Sequence, residues 1–118
     1  MLTLPIKKKW FDMIKSGEKK EEYREIKPYY DIRLKNYIPD IGNQKIIRLE
    51  QGIVLYSVSN YIIFRNGYKK NSPSIKCKVK CSKGYGKIEW GAEPNKKYYV
   101  LKILSVEEVN KWLKQQEY

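Results

Sequence analysis

The chain has 118 residues, with 25 lysines and arginines against 13 aspartates and glutamates, a net charge of +12 and no histidine. That length suits one domain, 1–118, built on one core, and an apolar fraction of 42% with 11 tyrosines argues against global disorder. No apolar run approaches the roughly 18 residues of a membrane span, and the missing histidine excludes Ser-His-Asp and Cys-His machinery and histidine metal ligation.

In chain order, Leu2-Thr3-Leu4 reads as a short strand closed by Pro5. Ile6, Trp10, Met13 and Ile14 then recur at helical spacing, which predicts a helix with its apolar face in the core and Gly17 at its C-terminal cap. Glu21–Ile26 is confined between Gly17 and Pro28 to strand length, with Glu22, Arg24 and Ile26 on one face and Tyr23 on the other. Pro28 opens a second short helix through Tyr29, Ile32, Arg33 and Tyr37 that must end before Pro39.

The remainder is β-rich. Strands are expected at Lys45–Leu49, Gly52–Ser57, Tyr61–Arg65, Ser74–Cys81, Lys87–Trp90 and Tyr98–Leu104, with turns at Asn66-Gly67 and Gly84-Tyr85-Gly86. Ser74–Cys81 alternates cleanly, with Ile75, Cys77, Val79 and Cys81 facing inward and Lys76, Lys78 and Lys80 outward. Ser105 and Glu108 read as a capping box opening a C-terminal helix that buries Val106, Val109, Leu113 and Trp112. The fold class expected is α+β, mainly β: a small, partly closed barrel with helices near both termini.

Cys77 and Cys81 on one strand face would sit roughly 13 Å apart, beyond disulfide reach. They read as free buried thiols of a protein in a reducing cytoplasm, and no metal site or cofactor motif is apparent.

The most informative stretch runs from Trp10 to Arg24 and contains Gly17, Lys19, Glu22 and Arg24 in the pattern Gly-x-Lys-x-x-Glu-x-Arg. A glycine turn lets Lys19 project beside a strand face that presents Glu22 and Arg24, so a charge-assisted cluster is easily formed. The bland alternative is a solvated ladder of ion pairs, each contributing about 0–1 kcal/mol. As a functional cluster these residues should matter to function more than to stability, so Lys19→Ala is expected to leave the melting curve nearly unchanged.

This pattern resembles the signature of the ASCH domain, a relative of the PUA RNA-binding domain. Phe64-Arg65-Asn66-Gly67-Tyr68, Ser72-Pro73 and the block from Gly84 to Pro94 are similar to segments of small ASCH proteins of phages and bacteria. The resemblance covers nearly the whole chain and implies a PUA-like β-barrel. Some small ASCH proteins are acetylcytidine amidohydrolases, and for these the resemblance implies a lysine at Lys19, a threonine nucleophile at position 22 and a glutamate from a later strand. Here Glu22 replaces the threonine, and Glu89 is the candidate second carboxylate.

Three functions follow as expectations. The first is a module that binds RNA, single-stranded nucleic acid or a nucleotide. Gly17, Lys19, Glu22, Arg24, Arg65, Tyr68, Tyr85 and Trp90 would contact the ligand, and Lys69, Lys70, Lys76, Lys78, Lys80 and Lys83 its backbone. The second is a small hydrolase acting on a modified nucleoside or on RNA, with Lys19, Glu22 and Glu89 catalytic. The third, an adaptor on a membrane or protein surface, is disfavoured because the apolar face of the first helix is assigned to the core.

Overall fold

The structure is a computed structural model that describes residues 1–37, 44–49, 52–57 and 60–109. Its strands are β1 (Leu2–Pro5), β2 (Glu21–Glu25), β3 (Gln44–Leu49), β4 (Gly52–Ser57), β5 (Asn60–Arg65), β6 (Ser74–Tyr85) and β7 (Lys97–Glu108). Two helices, α1 (Lys8–Lys15) and α2 (Pro28–Leu34), lie between the early strands. Five strands form one curled sheet, a half-barrel in the order β1-β5-β6-β7-β2, and β3 pairs with β4 in a separate antiparallel ribbon. Only β1 and β5 run parallel within the larger sheet.

The inner face carries the core. Ile62, Phe64, Ile75, Cys77, Val79, Cys81 and Leu101 are buried there under Phe11 and Ile14 of α1. Fully burying each such side chain contributes about 1.5–3 kcal/mol. The alternation expected for β6 holds, and both cysteines are free and buried. Within α1 the buried positions are Phe11 and Ile14, while Trp10 is only partly buried and turns one flank outward.

Gly17 closes α1 with φ +86°, a left-handed conformation that glycine adopts without strain. The chain then enters β2 extended, as expected. Both faces of β2 are covered: Glu22 and Arg24 turn toward the main core, while Tyr23 joins Ala92, Tyr98 and Val100 in a second cluster.

Three expectations are corrected. Lys87–Trp90 is not a strand, because Ile88–Trp90 forms a single 3-10 turn. The Tyr23 hydroxyl accepts the Lys87 N–H at 2.9 Å, and the Ala92 N–H folds back to the Lys87 carbonyl, which bends this segment over β2. Ser74–Cys81 extends to Tyr85, so Gly84 and Tyr85 lie inside β6 and the turn comes after them. Ser105–Glu108 does not open a helix. Those residues continue β7 opposite Lys78, Cys77, Lys76 and Ile75, because the long β6 offers a ladder partner at each of them. Val106, expected to be buried, is 37% exposed, and the expected burial of Leu113 and Trp112 lies outside the described residues. Among the described residues no helix is long and apolar enough to cross a membrane.

Candidate functional site

The half-barrel stays open between its two edge strands, β1 and β2. Arg24 reaches across the gap, its Nη2 donating to the Pro5 carbonyl at 2.8 Å. Over this gap lies a cleft of about 720 Å³, bounded by the end of β1, Trp10 of α1, the edge of β2, Tyr30 of α2 and the segment around Trp90.

Buried charges form the floor. Glu22 places Oε1 3.1 Å from Lys19 Nζ and Oε2 2.7 Å from Arg24 Nη2. Lys19 is 1% exposed, Glu22 5% and Arg24 8%. Lys19 also donates to the Trp90 carbonyl, and its ammonium lies 4.3 Å from the Trp10 ring centre and 5.2 Å from that of Tyr23. Arg24 Nη1 donates to the Tyr30 hydroxyl at 3.1 Å, while the buried Nε has no hydrogen-bond partner among the described residues. Two cations against one carboxylate leave a net +1 beneath the cleft.

Burial lowers the pKa of Lys19, and the neighbouring Glu22 opposes that pull only in part. For Arg24 burial also pulls down, but Glu22 and Tyr30 outweigh it and the guanidinium is raised. Tyr23 is pushed up to about 12, chiefly by burial. Its hydroxyl donates to Glu21 at 2.8 Å.

The edge of β2 also presents main chain to the cleft. The Ile103 N–H bonds the Lys20 carbonyl at 2.8 Å, and Lys20 and Ile103 extend the register of β2 against β7. Hydrogen-bonded and non-bonded pairs alternate in an antiparallel ladder, so the N–H and C=O of Tyr23 and Glu25 point away from β7. Both residues line the cleft.

Of the residues singled out in the sequence, Lys19, Glu22 and Arg24 converge, with Gly17 positioning the turn before them. Trp90 joins through its carbonyl and lines the wall, and Tyr68, 94% exposed, stands at the rim. Lys19 itself does not line the cleft. Arg65 also lies outside the lining, with its Nε 3.3 Å from Ser74 Oγ. Tyr85 and Glu89 are exposed outside it too, so Glu89 does not complete a carboxylate pair with Glu22.

Lys69 and Lys70 occupy the exposed turn before Pro73. Lys76, Lys78 and Lys80 share the outer face of β6, whereas Lys83 lies on the opposite face near the Tyr99 ring. The cleft residues not anticipated are Trp10, Tyr23, Tyr30 and Tyr98, with Lys7, Lys27 and Lys96 at the rim. Trp10 follows the helical period of the core stripe, so periodicity alone assigns it to the interior. The tyrosines carried a weak signal in their number. No protein-family model, curated protein or solved structure matches the chain.

Proposed function

We propose that the chain is an ASCH-type, PUA-like module that binds RNA, or a nucleotide, by seating a base in the cleft at the edge of β2. The observation that carries this reading is the composition of the cleft: aromatic walls around a buried carboxylate held between two cations. Its volume of about 720 Å³ falls within the usual range of small-ligand sites. Trp10 and Trp90, both partly exposed, offer stacking surfaces, with Tyr23 and Tyr98 buried behind them, and stacking a base on an aromatic ring contributes about 1–3 kcal/mol. The outward N–H and C=O of Tyr23 supply a donor beside an acceptor, the pairing that a base edge needs. Each Glu22 oxygen already accepts one bond and keeps a lone pair for an exocyclic amino group. Lys7, Lys27 and Lys96 add positive charge at the rim, which favours a phosphate.

The lining supports binding rather than turnover. Among the described residues it includes no serine, threonine or cysteine, and Lys19, the lysine of the amidohydrolase pattern, is engaged by Glu22 and the Trp90 carbonyl beneath the wall. The test is titration of intrinsic tryptophan fluorescence with nucleosides, nucleotides and short RNAs. Saturable quenching that shrinks in Trp10→Phe and Trp90→Phe is expected. No spectral response to any of these ligands through the millimolar range would refute the reading.

A further inference from the structure

We infer that the outer face of β6 and β7 carries the phosphates of a single-stranded polynucleotide whose base occupies the cleft, so that the ligand is a polymer rather than a free nucleotide. The inference rests on the cleft reading above and adds a second surface to it.

The register assembles that surface. Lys76, Lys78 and Lys80 alternate outward along β6 while Ile75, Cys77, Val79 and Cys81 are buried behind them. Lys102 of β7 stands directly opposite Lys80. Like charges directly opposite one another destabilise a sheet. Two carboxylates are near in register: Glu107 opposite Lys76 and Glu21 opposite Lys102. Neither forms an ion pair with a lysine of this face among the described residues, and the Glu21 carboxylate instead accepts the Tyr23 hydroxyl. The face therefore holds four lysines against two carboxylates in register, a net +2 without a direct ion pair among the described residues, an arrangement that an external polyanion would neutralise.

The geometry suits a strand of nucleotides. Same-face neighbours on a β-strand recur at roughly 6.5–7 Å, close to the repeat of one nucleotide in an extended single strand. Tyr61, 40% exposed, stands opposite Lys78 in register, and the Lys76 ammonium lies 4.7 Å from its ring centre. It gives a base a stacking surface between phosphate contacts. In register the face begins beside the buried Tyr23, Ala92, Tyr98 and Val100 cluster that backs the cleft wall. Tyr23 is paired with Val100, and two residues along the same face Glu21 is paired with Lys102, which is followed by Lys80. A chain leaving the Tyr23 wall thus meets Lys102 and Lys80 first, then Lys78, then Lys76 beside Tyr61.

The experiment compares a mononucleotide, read by tryptophan fluorescence, with labelled oligouridylates of increasing length, read by anisotropy across a salt series. The wild type and a Lys78→Gln/Lys80→Gln/Lys102→Gln variant are both measured. Affinity should rise with length over the first few nucleotides. The triple variant should bind the mononucleotide as wild type does, while its oligomer salt slope becomes shallower by about 2, at roughly 0.7 for each phosphate that is no longer neutralised. Mononucleotide binding with no gain from added length, or an unchanged slope in the triple variant, overturns the inference and leaves the cleft reading standing. Tryptophan fluorescence that responds to neither ligand overturns both.

Discussion

Replacing Lys19 by methionine should strongly destabilise the fold. Methionine keeps most of the packing volume, so the change removes mainly a charge and its donors. Glu22 Oε1 loses its partner at 3.1 Å, the Trp90 carbonyl loses its donor, and the Trp10 ring loses its cation. All of this happens at a side chain that is 1% exposed. Glu22 keeps Arg24 at 2.7 Å, so the cost is that of two buried acceptors left without a donor, about 1–3 kcal/mol each, or about 2–6 kcal/mol together. For a chain of this length that corresponds to a fall in Tm of roughly 8–24 °C.

The assay is urea unfolding followed by far-UV circular dichroism, with equal m-values required before midpoints are compared. Lys8→Met is the control, because the Lys8–Asp12 pair at 2.6 Å is largely exposed and should contribute less than about 1 kcal/mol. Adding Glu22→Gln to Lys19→Met should deepen the loss, since it takes from buried Arg24 its carboxylate partner at 2.7 Å. A Lys19→Met protein within about 1 kcal/mol of wild type would refute the reasoning, because two buried acceptors would then have lost their donor almost without cost. The expected loss corrects the sequence expectation that Lys19→Ala leaves the melting curve nearly unchanged, which treated the cluster as exposed, whereas Lys19 is 1% exposed.

Alkaline pH should destabilise the protein. Burial raises the Cys77 and Cys81 thiols from 9.0, and the Tyr23 and Tyr99 hydroxyls from 10.0, to about 12 each. The unfolded chain releases these protons first, so stability is intact below about pH 9 and falls as pH rises toward 12. The lowered pKa of Lys19 works in the opposite direction, adding stability as pH rises toward 10.5. Urea midpoints across this range should still fall on balance, and Cys77→Ala should flatten the decline relative to wild type. Gly86→Ala should destabilise by about 1–3 kcal/mol, because its Cβ would lie 2.5 Å from the Tyr23 ring. The same substitution should weaken nucleotide binding in the fluorescence titration, since Tyr23 forms a cleft wall; binding and stability both at wild-type levels would contradict the tight approach.

Much of the site was legible where chemistry and backbone agreed. Gly17 marked the only break between α1 and Pro28, and so brought Lys19 beside a strand carrying Glu22 and Arg24. The alternation of β6 was equally plain, because lysines and apolar residues change places at every step. What the sequence could not show was depth. A lysine, a glutamate and an arginine within six residues look like surface charge, yet Lys19 is buried against the Trp10 ring and the Trp90 carbonyl, the latter arriving from 71 positions away. Ser105 and Glu108 carry a local helix signal, yet the pairing partners offered by β6 lie about 30 residues earlier and outweigh it. Lys83 follows Lys80 in sequence but lies on the opposite face, because three steps along a strand reverse the side.

The open edge of β2 has a consequence for how the protein behaves in company. A strand with unpaired main-chain groups is a template on which another chain can lay its own strand. Here the template lies between Trp10 and Trp90, where a broad incoming strand must displace bulky rings before it can pair. Glu25 at the edge and the nearby Lys7 and Lys27 place charge along the approach, the same device that guards exposed edges elsewhere. A base seated there would occupy the same donors and acceptors. On the proposed reading, the protein without a bound base is the form more prone to self-association, and a seated base would act as a protective cap on the sheet.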